Sequence, residues 1–161
     1  MSAQDEPQPS ADAVPPGQAL AARLGYAGLV PLAVLTIWLA GIPADHVWRD
    51  MTIRLLVAYA AIVLAFLGGT RWGAALGAGV PRTGRDVGLA VLPALIGWAV
   101  LFIPPAYAFV LLAVAFAAQG AWDALSGQAG ILPAWFARLR MQLTAVAVIA
   151  MIVAFGATAA G

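Results

Sequence analysis

After a polar opening, five apolar stretches divide the chain, at about residues 24–42, 53–76, 87–103, 106–122 and 139–160. A helix needs about 17–25 residues to cross a bilayer, and all five qualify, the third and fourth only just. The pattern predicts an all-α integral membrane protein, a single bundle of about five transmembrane helices over residues 20–161. Pro104-Pro105 separates the third stretch from the fourth. Proline cannot continue a helix and pushes its predecessor out of helical geometry, so a tight hairpin is expected there. Pro31 and Pro93 fall inside the first and third stretches, where kinks are expected.

Composition excludes the main competitor, a water-soluble domain. Of 161 residues, 63% are hydrophobic and only 9% charged, against roughly 25% charged in soluble domains. Residues 1–19 have the opposite character, rich in Pro, Ala, Gln and acid. Such a segment buries too little apolar surface to order itself, so a disordered N-terminal tail is expected. It has neither the basic start and apolar run of a secretory signal nor the arginines of a transit peptide, so the first helix is expected to do the targeting.

Charge fixes an expected orientation. All eight basic residues are arginine. With five spans, the side holding the N-terminus carries Arg23, Arg82, Arg85, Arg138 and Arg140, with Arg71 close by, and the other carries only Arg49 and Arg54. The positive-inside rule then puts the N-terminus in the cytoplasm and the C-terminus outside. Trp72, Trp122 and Trp135 fall near the cytoplasmic boundary and Trp38 and Trp48 near the other, as aromatic belts do. The all-arginine basic set, with heavy use of Ala, Gly, Val and Leu, suggests a GC-rich bacterial genome.

Two patterns stand out within the spans. Ala61, Ala65, Gly69, Gly73 and Gly77 recur every fourth residue on the second helix, a flat ridge of the kind that lets membrane helices approach closely. Ala113, Ala117 and Ala121 repeat the spacing on the fourth helix and are a candidate facing surface. The ridge serves either packing within one subunit or a homodimer seam. The second pattern is polar: Arg71 lies inside the end of the second helix, and Gln119 and Asp123 share a face at the end of the fourth. Snorkelling would account for Arg71 alone. Pairing with Asp123, capped by Gln119, would instead make a structural clamp or the floor of a polar pocket.

The remaining chemistry is sparse. There is no cysteine, and the single histidine, His46, sits in a short loop with Asp45, Arg49 and Asp50, so the three or four ligands of a zinc site are not available. No serine lies in a nucleophile elbow. The glycines around 68–79 lack the phosphate-loop lysine. Arg138 and Arg140 read as topology anchors or contacts to anionic lipid. No catalytic residue, metal or cofactor is expected, and no nucleic-acid partner.

LGYAGLVP at 24–31, FLGGTRWG at 66–73, LPALIGW at 92–98, QGAWD at 119–123 and LPAWFARLR at 132–140 occur in that order. Together they resemble a family of small bacterial membrane proteins known as domain of unknown function 3429, to which a mitochondrial transmembrane protein of eukaryotes is similar. The most specific element is Gly68, Gly69, Arg71, Trp72 and Gly73. The resemblance runs from about residue 20 to the end of the chain and implies a multi-span inner-membrane protein; it implies no activity.

Three functions are consistent with these features. The first is a structural or assembly component that packs against membrane lipids and another inner-membrane protein, or against itself. The alternative is a small transporter or permeation protein using Arg71, Gln119 and Asp123 as a cytoplasmic-side polar site. The third, a membrane-embedded lipid enzyme, needs an acid, base, nucleophile or metal set that the chain does not assemble.

Overall fold

The computed structural model describes residues 16–76, 84–128 and 132–159. They form helices α1 (Pro16–Gly41), α2 (Arg49–Leu76), α3 (Gly84–Leu89), α4 (Leu92–Ala99, extended by a 3-10 turn over Val100–Phe102), α5 (Pro105–Gln128) and α6 (Ala134–Ala159). Among the described residues there is no strand. Helices α1, α2, α5 and α6 have 24–28 residues, about 36–42 Å at 1.5 Å per residue. That exceeds the roughly 30 Å hydrocarbon core, and all four are apolar enough to cross it.

The third apolar stretch departs from expectation. Residues 87–102 are shorter than a full span and are not one helix. A turn at Ala90-Val91 interrupts them, closed by Val91 N–H donating to the Gly88 carbonyl. Pro93 is the cause: it has no N–H to donate and its ring excludes the carbonyl four residues back, so it occupies the first turn of a new helix. Pro93 therefore marks a break, whereas Pro31 lies within a continuous α1. Ile103 is extended ahead of Pro104-Pro105, and Pro105 opens α5, which makes the expected hairpin.

Several boundaries also move. Residues 16–19, placed in the tail by composition, begin α1, with Pro16 at the helix start where its missing N–H costs nothing; residues 1–15 lie outside those described. Helix α5 continues past Trp122 to Gln128, and α6 begins at Ala134 rather than Leu139. The α5 extension carries Asp123 and Ser126, which find partners inside the bundle, so hydropathy alone ends that helix too early.

Cross-helix bonds set the directions. Tyr26 on α1 donates to Gln142 on α6, and Arg49 at the start of α2 donates to the Ile42 carbonyl after α1 and the Ala157 carbonyl near the end of α6. Helices α1 and α6 are therefore parallel, with α2 antiparallel to both. Arg71 on α2 meets Asp123 on α5, each five residues from its helix end, so α2 and α5 run parallel. The broken α3–α4 segment then runs back from the end of α2 to the start of α5.

Leu32, Leu39, Leu56, Leu64, Phe109, Leu112, Phe116 and Met151 are fully buried at the centre. Glycines set the closest approaches. A Cβ at Gly68 would lie 2.7 Å from the Ala90 carbonyl oxygen, and one at Gly97 would lie 2.8 Å from that of Ala61. The α2–α4 contact is thus backbone against backbone, at two levels. On the other side of the bundle, a Cβ at Gly120 would lie 2.7 Å from Thr144 Cγ2, which places α5 against α6.

The small-residue ridge is only partly internal. Ala61 packs on Gly97, but Gly69 and Gly73 are exposed, with nothing within 4 Å of where a Cβ would stand. Ala65 is half-buried, and Gly77 lies outside the described residues. The proposed facing residues do not meet this ridge as a surface, since Ala117 and Ala121 are exposed and Ala113 is half-buried. The helix that α2 approaches through small residues is α4, reached through Ala61 and Gly68, and sequence alone had paired the ridge with the wrong neighbour.

Candidate functional site: a buried arginine–aspartate–arginine cluster

Gln119, Asp123 and Ser126 occupy positions i, i+4 and i+7 of α5, a single stripe, and all three are buried. The stripe faces Thr70 and Arg71 on α2 and Arg140 on α6. Arg71 Nε donates to Asp123 Oδ1 at 2.8 Å, with Nη2 2.6 Å from the same oxygen. Arg140 Nε donates to the other oxygen, Oδ2. Asp123 is fully buried, and the side chains of Arg140 and Arg71 are 4% and 10% exposed, so the ion pairs sit inside the protein rather than among headgroups.

Hydrogen bonds satisfy much of what the ion pairs leave over. Arg140 Nη1 donates to Thr70 Oγ1 at 2.6 Å and Nη2 to the Leu67 carbonyl at 3.5 Å. Arg71 Nη2 donates to Ser126 Oγ at 3.2 Å, and that hydroxyl donates to the Trp122 carbonyl. With the Gln119 amide oxygen turned toward the guanidiniums, it accepts from Arg140 Nη2 at 3.2 Å and Arg71 Nε at 3.1 Å. The Arg71 guanidinium also lies over the Trp122 ring, 4.1 Å from its centroid.

The physical logic is that of a charge that cannot be left alone. Removing a carboxylate and two guanidiniums from water costs several kcal/mol per ion even after relaxation. The cost is recovered only where each group is paired and its other donors and acceptors are met, as they are here. Arginine suits both positions because its planar fork serves a carboxylate and neighbouring oxygens together, which a lysine ammonium does not. The cluster joins α2, α5 and α6 at one level.

The sequence brings Arg71, Gln119 and Asp123 to notice, and the structure brings the three together. It corrects two particulars. Asp123 is not at the terminus of its helix, because α5 runs on to Gln128. Arg140 is not an anchor facing headgroups or lipid: it is a member of the cluster, while Arg138 stays exposed. Successive helical residues are 100° apart, so positions 138 and 140 face nearly opposite ways, and both cannot reach the headgroups. That spacing was the available signal. Thr70 and Ser126 complete the cluster without any sequence signal of their own.

His46 makes local contacts. His46 Nδ1 accepts from the Trp48 N–H, and its ring packs edge-on to Trp38. Among the described residues no three His, Cys, Asp or Glu side chains gather into a metal-binding group. Of the motif Gly68-Gly69-x-Arg71-Trp72-Gly73, Gly68 makes the close contact to Ala90 and Arg71 enters the cluster, while Trp72 is exposed.

Four helices able to span a bilayer, a shorter apolar segment and a buried ionic cluster define a multi-pass helical membrane protein. The chain belongs to the family described as Protein of unknown function (DUF3429), whose model matches residues 17–156. It is similar to Transmembrane protein 69 of Xenopus tropicalis, at 34% identity over 137 residues. That alignment covers 80% of this chain but 51% of the relative, so the chain spans about half the length of the curated protein it matches. No solved structure matches.

Proposed function

We propose that this protein is a non-catalytic assembly or interaction component of a bacterial inner membrane, crossing it five times with the N-terminus in the cytoplasm and the C-terminus outside. The observation that carries the reading is the closure of the cluster. Both oxygens of Asp123 are taken by guanidinium donors and the carboxylate has no exposed surface, so it is built to hold three helices together. A permeation site would need such groups along an accessible path. Four helices long enough to span and the opposed ends joined by the shorter α3–α4 segment support this count, with that segment as the third crossing. The arginine distribution supports the orientation. The partner, a second inner-membrane protein or another copy, would approach α2, where Gly69 and Gly73 leave backbone bare beside the exposed Phe66 and Trp72.

The test is photocrosslinking in native membranes from residues introduced at Phe66, Gly69 and Gly73, with Ile37 on α1 as the comparison. The expected result is one discrete protein adduct from the α2 positions and none from Ile37. No adduct, together with solute flux in reconstituted vesicles that disappears in Arg71→Ala, would transfer the reading to permeation.

A further inference from the structure

The turn between α1 and α2 lies at the end of the bundle opposite the ionic cluster, and His46 organises it. The first N–H groups of a helix have no partner within that helix. At the start of α2 His46 serves two of them. Its Nδ1 accepts from the Trp48 N–H at 3.2 Å, and its carbonyl accepts from the Arg49 N–H at 2.9 Å. Its own N–H donates to the Pro43 carbonyl, and its ring stands edge-on to Trp38 with centroids 6.0 Å apart. From this capped start the Arg49 guanidinium donates to the Ile42 and Pro43 carbonyls after α1 and to the Ala157 carbonyl of α6.

An imidazole nitrogen that accepts a hydrogen bond carries no proton, and protonation places a hydrogen on both nitrogens. An imidazolium at His46 therefore cannot hold the Trp48 N–H. It also sets a positive charge at the N-terminus of α2, where the helix dipole opposes it, three residues from Arg49. The other charged groups of the turn and the first turn of α2 are Asp45 and Asp50, both exposed. The last two turns of α1 and of α6 carry no titratable side chain. Histidine is the one side chain whose ordinary titration falls between about pH 5 and 8, and the chain has a single histidine. We infer that the turn over residues 43–48 is a proton-sensitive latch, closed by neutral His46 capping α2 and opened when protonation releases the Trp48 N–H. The inference rests on the turn alone, not on the assembly role or on which side of the membrane it faces.

The experiment is a nuclear magnetic resonance titration of the full chain in mild detergent, with isotope-labelled histidine and tryptophan. The expected result at about pH 8 is a neutral ring with its hydrogen on Nε2. The Trp48 amide signal, assigned by its loss in Trp48→Phe, is expected to shift along the same curve as the ring protonates. A neutral ring with its hydrogen on Nδ1, or a Trp48 amide that does not follow the ring, overturns the inference. The second readout is the unfolding midpoint, expected to fall by about 2–4 °C between about pH 8 and pH 5. His46→Asn keeps a side-chain acceptor for the N–H two residues on and removes the titration. It is expected to match the wild type at the higher pH and to lose the fall at the lower one. An equal fall in His46→Asn and the wild type overturns the inference.

Discussion

Asp123 on α5 and Arg140 on α6 face each other across 17 residues of sequence and are joined through Oδ2 and Nε, with Asp123 fully buried and Arg140 nearly so. Removing Asp123 leaves two guanidiniums without an anion in a region without water, and breaking a buried pair in this way costs about 3–5 kcal/mol. Arg140→Ala leaves Asp123 paired with Arg71 and is expected to lower the unfolding midpoint less than Asp123→Ala does, read by fluorescence-detected size exclusion after heating. Arg138→Ala, two residues away and exposed, is expected to change it little.

The second guanidinium changes what a charge swap can do. If Arg71 and Asp123 formed an isolated pair, exchanging them would restore much of the loss. Here the exchange sets an arginine at 123 against Arg140, so the Arg71→Asp/Asp123→Arg double variant is expected to be no more stable than either single. Replacing all three charges together with Met, Leu and Met is expected to recover most of the stability, as apolar replacement of buried ion clusters often does. A swap that rescues would show that Arg140 is not part of the cluster in the membrane.

Glycines of α2 and α4 are expected to divide sharply. Gly68→Ala drives a methyl to 2.7 Å from the Ala90 carbonyl, and Gly97→Ala does the same against Ala61. Each is expected to cost about 1–3 kcal/mol through overpacking. Gly69→Ala and Gly73→Ala meet open space and are expected to be neutral or to gain up to about 1 kcal/mol from helix propensity in the purified monomer. Loss of a crosslinked adduct in the same two variants would tie these glycines to a partner.

Much of this architecture can be read from the chain, and where it cannot the reason is physical. Hydropathy locates all four long helices, because each must present apolar side chains to lipid. It ends α5 at Trp122, because Asp123 and Ser126 look like water-facing residues until their partners are known, and it starts α6 at Leu139, because Arg138 does face outward. The broken third segment is signalled by Pro93, but only the α2–α4 contact shows that the break brings Ala90 against Gly68. Their depth makes Arg71 and Asp123 a candidate pair in the sequence, with snorkelling of Arg71 as the alternative, and the contact decides for the pair. Arg140 was obscured by its neighbour Arg138, since two arginines at a membrane boundary invite a single explanation.

Topology is open to a direct check, since the chain has no cysteine and any introduced one is unique. With the N-terminus inside, Gly17→Cys is expected to resist a membrane-impermeant maleimide in intact cells. Ala159→Cys, at the far end of α6, is expected to react. The reverse pattern would invert the orientation, and equal reactivity would imply an even number of crossings.

The position of Arg140 also has a consequence for the order in which the chain can be made. When α5 leaves the ribosome, Arg71 already lies in the membrane, but half of the Asp123 carboxylate has no cation until the first turns of α6 emerge. Until then the nascent protein holds four of its five hydrophobic segments and an aspartate answered by one arginine of two. The last helix therefore completes the cluster. A chain truncated before residue 140 lacks the donor to Asp123 Oδ2, and a finished chain does not.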